Sequence, residues 1–366
     1  MKRLVPLLAV TFVLISCSPY YTEGDYFFIR SNGADMPVWV KGQTDSDTVI
    51  IYLHGGPGDG CIHFSLVPQA FIEDTCMVVY WDQRHAGQSQ GNPSIGDSRM
   101  EDYIADTDLV IETVRLRYNP SRIFLLGNSW GASVGMAYLV HGDDYQARQE
   151  KVTGFISTFG TCDYTLSYAY AAPRIVSFAE ERIAGGTDTD TWEECLGFYN
   201  STPALADVED LRTHTRYVME SGGYTVENSA SQSPDIDMLA FTLASPVALF
   251  PLILTNIAND GNKEFISWLV SDNSLSSELS RLSVPACIIS GRKDLQATWQ
   301  AGLSMFLGTP DIEPELPGYE GVMSVGGWVN GNRTYMILED TAHGSFGTTD
   351  DIETYRSGII SFIESE

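Results

Sequence analysis

Gly127-Asn128-Ser129-Trp130-Gly131 is the stretch on which the reading of this 366-residue chain turns. It follows Ile123-Phe124-Leu125-Leu126, an apolar run behind Pro120 whose composition predicts a buried strand. Residues 132–139 come next, free of proline and suited to a helix. A serine with glycines two residues to either side, set where a strand turns into a helix, reads as a nucleophile elbow. The turn strains the serine backbone, and glycines let strand and helix crowd together there.

Working outward, Tyr26-Phe27-Phe28-Ile29 and Pro37-Val38-Trp39-Val40 read as strands joined by a hairpin turn at Ser31-Asn32-Gly33. Thr48-Val49-Ile50-Ile51-Tyr52-Leu53 is apolar almost throughout, as a strand covered on both faces should be. It runs into His54-Gly55-Gly56-Pro57-Gly58. A helical stretch over 64–71 leads to the strand Met77-Val78-Val79-Tyr80-Trp81 and the polar turn that begins Asp82-Gln83-Arg84-His85. Ser98-Arg99-Met100-Glu101 has a capping-box pattern ahead of Tyr103, Thr107, Val110, Ile111, Val114 and Tyr118 at helical spacing. Asn119-Pro120 ends that helix, and Phe155-Ile156-Ser157-Thr158 reads as the strand after the elbow. Alternation of this kind predicts an α/β fold, a mostly parallel central sheet flanked by helices.

From about Cys162 strand signals give way to helical stretches, broken at Gly185-Gly186, Gly222-Gly223 and Pro234. Strands return at Ala286-Cys287-Ile288-Ile289-Ser290 and Tyr335-Met336-Ile337-Leu338, and a last helix carries Ile352, Tyr355, Ile359 and Phe362 on one face. The expected division is a core over 18–162, an inserted helical cap over 163–283, and the rest of the core over 284–366.

Residues 1–17 read as a targeting segment. Lys2 and Arg3 precede an apolar run over 4–15, too short to span a bilayer comfortably. Leu14-Ile15-Ser16-Cys17 matches a bacterial lipobox, which predicts a lipid anchor on Cys17 and a place in the cell envelope, on a face the sequence does not choose. The net charge of −27 disfavours nucleic acid as a partner, and any membrane contact would run through the lipid. Cys61, Cys76, Cys162, Cys195 and Cys287 are widely spaced, without the pairing of a zinc or redox site.

A serine hydroxyl needs a base to take its proton, and the base needs an acid to orient it. Of six histidines, only His343 follows the last core strands, in a loop ahead of the final helix. Asp294 follows the strand ending at Ser290 and lies between Ser129 and His343 in the chain; Asp311, Glu313 and Glu315 are rivals for its role. The expected oxyanion donors are the backbone amides of Trp130 and, in the Gly-rich loop, Gly56. His54 reads as a structural loop residue, with Asp82 and Arg84 bracing the neighbouring turn. This constellation requires no cofactor or metal.

Four motifs carry a resemblance: His54-Gly55-Gly56-Pro57-Gly58, Trp81-Asp82-Gln83-Arg84 with Gly87-Gln88-Ser89, Gly127-Asn128-Ser129-Trp130-Gly131, and Gly291-Arg292-Lys293-Asp294. Together they resemble the proline iminopeptidase branch of the α/β-hydrolase fold, serine aminopeptidases that release N-terminal residues from peptides. The resemblance implies a Ser129–Asp294–His343 triad. It also implies cap carboxylates that bind the substrate's free α-ammonium group, for which Glu193 and Glu180 are the candidates. His85-Ala86 and an extra segment over 318–332 depart from the family pattern, and the cap does not clearly match. The expectation is an aminopeptidase acting on short peptides. A carboxylesterase with the same triad and a non-catalytic envelope binding protein stand as alternatives.

Overall fold

The computed structural model describes residues 24–60, 70–91, 97–227, 229–230, 274–310, 312 and 328–366. The targeting segment with Cys17, as well as Cys61, Asp311, Glu313 and Glu315, lies outside the described residues, as do most of the 64–71 and 318–332 stretches and the cap sequence over 231–273.

Among the described residues nine strands form one sheet in the order β1-β2-β4-β3-β5-β6-β7-β9-β8. They are β1 (Asp25–Ser31), β2 (Ala34–Gly42), β3 (Thr48–Leu53), β4 (Met77–Trp81), β5 (Arg122–Asn128), β6 (Gly154–Thr158), β7 (Ala286–Gly291), β8 (Trp328–Asn330) and β9 (Arg333–Leu338). The six central strands, β4 to β9 in sheet order, pair in parallel. The edges are antiparallel: a β1–β2 hairpin lies beside β4, and β8 lies beside β9. The hairpin turns through Asn32 and Gly33, both at positive φ, 42° and 89°. The strand β8 was not foreseen; it falls in the stretch read as an extra segment.

Strand periodicity explains the two cores. Val49, Ile51, Leu53, Met77, Val79, Trp81, Ile123 and Leu125 point to one face, where α2 (Met100–Tyr118), α3 (Trp130–Val140) and α8 (Trp299–Leu307) pack. The alternate residues Ile50, Tyr52, Val78, Tyr80, Phe124 and Leu126 face α1 (Ala70–Glu73) and α9 (Thr349–Ser365). Residues buried on both faces make the central strands continuous apolar runs, which is why they were legible. A short α4 (Tyr145–Gln149) follows α3. The four described cysteines, Cys76, Cys162, Cys195 and Cys287, are buried thiols.

Between β6 and β7 the described helices are α5 (Tyr164–Ala184), α6 (Thr189–Ser201) and α7 (Val208–Glu220). They gather their own apolar cluster around Tyr168, Ile175, Trp192, Cys195, Tyr199 and Tyr217, which Leu295 joins from the loop after β7. Asp163 caps α5 by accepting the Leu166 amide at 2.9 Å, and Asp207 caps α7 through the Glu209 and Asp210 amides.

The capping box of α2 is displaced by one residue from its expected place. Arg99 is the N-cap and Asp102, not Glu101, accepts its amide at 3.0 Å. Ser98 is engaged elsewhere: its hydroxyl meets His85 Nε2 at 2.8 Å.

Candidate active site

Parallel pairing sends β3, β4, β5, β7 and β9 out at one edge of the sheet, so the loops that follow them converge there. The loop after β5 is the elbow. Ser129 has φ 52° and ψ −119°, a strained conformation for a residue with a side chain. Its flanking glycines are dictated by contact rather than by φ. A methyl group on Gly127 would stand 2.4 Å from Gly131 O, and one on Gly131 would stand 1.9 Å from Leu53 O.

Asp294, on the loop after β7, is fully buried. Its Oδ1 accepts the Gln296 and Ala297 amides, each at 2.8 Å. Its Oδ2 accepts from His343 Nδ1 at 2.8 Å. His343, on the loop after β9, therefore carries its proton on Nδ1 and presents Nε2 to the Ser129 hydroxyl at 2.9 Å. The structure thus brings together the three side chains picked out as nucleophile, base and acid, from positions 214 and 49 residues apart.

The histidine is also held by Tyr224. That residue's carbonyl accepts the His343 amide at 3.2 Å, and the two rings lie 4.8 Å apart between centroids. Burial, with the nearby Asp59 and Asp294 carboxylates adding to it, raises the Tyr224 hydroxyl above its usual pKa. Tyr224 was missed in the sequence, where it followed two glycines read only as a break.

The Gly-rich loop after β3 faces the serine. Gly56, the expected oxyanion donor, sits at φ +119°, and Gly55, Gly56, Asp59, Ser129 and His343 all line one cleft of about 380 Å³. Trp130 is the first residue of α3, where helix amides lack partners within the helix. The loop and the elbow are tied by Gln83. Its Nε2 donates to His54 O at 3.0 Å, and its Oε1 accepts the Trp130 indole N–H at 3.0 Å. His54 Nε2 in turn accepts the Gln83 amide at 3.0 Å, and burial holds its ring below the usual histidine pKa. His54 is thus a buried, neutral part of the scaffold, as expected.

Behind this layer Asp82 accepts the Gln88 amide at 2.8 Å, while Arg84 makes a buried two-pronged contact with Asp106 at 2.7 and 2.8 Å. The D-Q-R element therefore divides its labour: Asp82 closes the turn, Arg84 ties it to α2, and Gln83 joins the Gly-rich loop to the elbow.

The roof of the cleft comes from α7, whose Leu211, Thr215 and Met219 repeat every four residues on one face. Glu193 and Glu180, the candidate amine-binding carboxylates, are not brought to this place. Both are exposed, on α6 and α5, and neither lines the cleft. Among the described residues the carboxylate that does line its wall is Asp59, one residue past the Gly-rich motif. Among the described residues no cluster of histidine, cysteine or carboxylate side chains could hold a metal ion, and no helix is long and apolar enough to cross a membrane.

A mostly parallel sheet, a strained serine at its carboxyl edge, and a histidine and aspartate delivered by later loops define an α/β-hydrolase. Within that class the chain is similar to the proline iminopeptidase-like serine aminopeptidases. A family model described as serine aminopeptidase, S33, matches residues 44–184. A probable proline iminopeptidase of Leptolyngbya boryana is 34% identical over 89 residues, 24% of this chain and 26% of that protein. The proline iminopeptidase of Neisseria meningitidis is 22% identical over 287 residues, 75% of this chain and 83% of its own length. The chain spans about a quarter to a third of the length of several of the curated relatives it matches. Among solved structures, the fold is shared with a proline iminopeptidase of Mycobacterium smegmatis at 16% identity and a TM-score of 0.57, covering 93% of this chain and 98% of that one.

Proposed function

We propose that this α/β-hydrolase is a serine aminopeptidase that releases N-terminal residues from short peptides through Ser129, His343 and Asp294. The observation that carries the reading is the continuous hydrogen-bonded run from Ser129 Oγ through the imidazole to Asp294. In this mechanism Nε2 takes the hydroxyl proton as Oγ attacks the carbonyl carbon, and Asp294 holds the ring and its developing charge. The Trp130 and Gly56 amides receive the oxyanion, a contribution typically worth about 2.7–4 kcal/mol per donor. His343 then protonates the leaving amine, and water activated by the same base frees the acyl group from Ser129.

The test has two parts. A serine-directed fluorophosphonate should label the folded wild type and not Ser129→Ala. Aminoacyl arylamides compared with simple aryl esters then decide the substrate class: turnover of esters alone would leave a carboxylesterase, and absence of labelling would leave a binding protein. We also propose that Cys17 carries the lipid anchor read in its lipobox. Metabolic incorporation of a clickable fatty acid, lost in Cys17→Ser, is the result expected.

A further inference from the structure

The cleft has an unbalanced charge. Its described lining includes the Asp59 carboxylate and no lysine or arginine. Asp59 has no hydrogen bond or ion pair among the described residues. A methyl group on Gly55 would stand 3.4 Å from Ser129 Cβ and 3.5 Å from Asp59 Oδ2, so the carboxylate lies across a single glycine from the nucleophile. A methyl on Gly56 would likewise stand 3.5 Å from Asp59 Cγ. An anion so close to the place where an oxyanion develops opposes the reaction of an uncharged acyl group. It favours the reaction of a substrate that sets a cation between the two.

We propose that Asp59 anchors the α-ammonium group of an aminoacyl substrate, an assignment that rests on the aminopeptidase reading of Ser129. In such a substrate the ammonium nitrogen is two bonds from the carbonyl carbon under attack, which matches a carboxylate one residue's width from the serine. The charge-assisted contact supplies the selectivity expected of the cap carboxylates, from the Gly-rich loop instead. Neutral acyl groups gain nothing from it.

The test compares wild type, Asp59→Asn and Asp59→Ala on L-alanyl 4-nitroanilide and on propionyl 4-nitrophenyl ester, with fluorophosphonate labelling to show that each variant is folded and its serine reactive. Loss of the contact should lower kcat/KM for the alanyl substrate about 10- to 100-fold, the range for a hydrogen bond to a charged group. The propionyl ester should keep its rate or gain. In the wild type, the preference for alanyl over propionyl should fall as pH rises through the substrate's amine pKa, and Asp59→Asn should flatten that fall. An equal loss on both substrates, or no loss on either, overturns the assignment while leaving the aminopeptidase reading in place. Wild-type turnover of the ester without the alanyl substrate overturns both.

Discussion

Replacing Gln83 by methionine tests whether the Gly-rich loop and the elbow, the proposed oxyanion segments, are held together by this side chain. The two side chains have similar volume, so the change removes two hydrogen bonds without opening a large cavity. Both bonds are 3.0 Å long, and Trp130, whose indole donates one of them, is only 1% exposed. Each buried group left without a partner costs about 1–3 kcal/mol. With the indole N–H and the His54 carbonyl both left without this partner, the expected destabilisation is about 2–6 kcal/mol. It should appear as a lower midpoint of urea unfolding at constant slope. In the same variant kcat should fall by about tenfold, less than the loss of a whole oxyanion donor, because the amides are loosened rather than removed. Pairing the change with Trp130→Phe sharpens the test: once the indole N–H is gone, Gln83→Met should cost at least about 1 kcal/mol less than it does alone. A Gln83→Met protein within about 0.5 kcal/mol of wild type, or strict additivity in the double variant, would refute the bridge.

Other outcomes follow from the same geometry. Gly131→Ala drives a methyl group to within 1.9 Å of Leu53 O and should cost at least about 3 kcal/mol, read from the thermal unfolding midpoint. Asp106→Asn leaves the Arg84 guanidinium buried, with Asp102 at 3.4 Å as its remaining carboxylate partner among the described residues, and should cost about 3 kcal/mol in denaturant unfolding, the lower end of the range for a broken buried pair. Burial lowers the pKa of His85 and His214 from 6.5 to about 4 in the folded chain. As pH falls through this window the unfolded chain takes up protons that the folded chain does not. Stability is therefore full above about pH 6.5, declines toward pH 4, and is level below it on this account. Calorimetry of His214→Asn should show a flatter decline than wild type over that window.

Legibility in the sequence followed the physics of each part. The central strands were readable because burial on both faces makes them apolar almost without interruption. The chain order Ser129, Asp294, His343 was readable because parallel strands deliver their following loops to one edge. The capping box of α2 was misplaced because both Glu101 and Asp102 suit the first turn, and in the fold Ser98 meets His85 while Asp102 accepts the Arg99 amide. The amine-binding candidates Glu193 and Glu180 were chosen from helices whose inner faces carry Trp192, Cys195 and Ala179, which leaves those carboxylates outside. The family resemblance directed attention to carboxylates of the cap, whereas Asp59, which lines the cleft, lies one residue past a motif valued for its glycines.

The glycine pair after α7 shows most clearly what a linear reading cannot hold. Gly222-Gly223 looked like a break, and Tyr224 like its neighbour. In the fold, Gly223 O accepts the Leu295 amide at 2.9 Å, and a side chain at Gly223 would strike Leu295 Cβ at 2.5 Å. Leu295 is the residue after Asp294, and Tyr224 holds His343. Two adjacent residues beyond the helical segment thus press on the loop of the acid and on the loop of the base at once. Their glycine is required by closeness to a loop more than seventy positions away. The alignment of Asp294 with His343 is therefore fixed partly from outside the sheet that carries them, and the segment after α7 contributes to the geometry of the proposed triad as α7 does to the roof of the cleft.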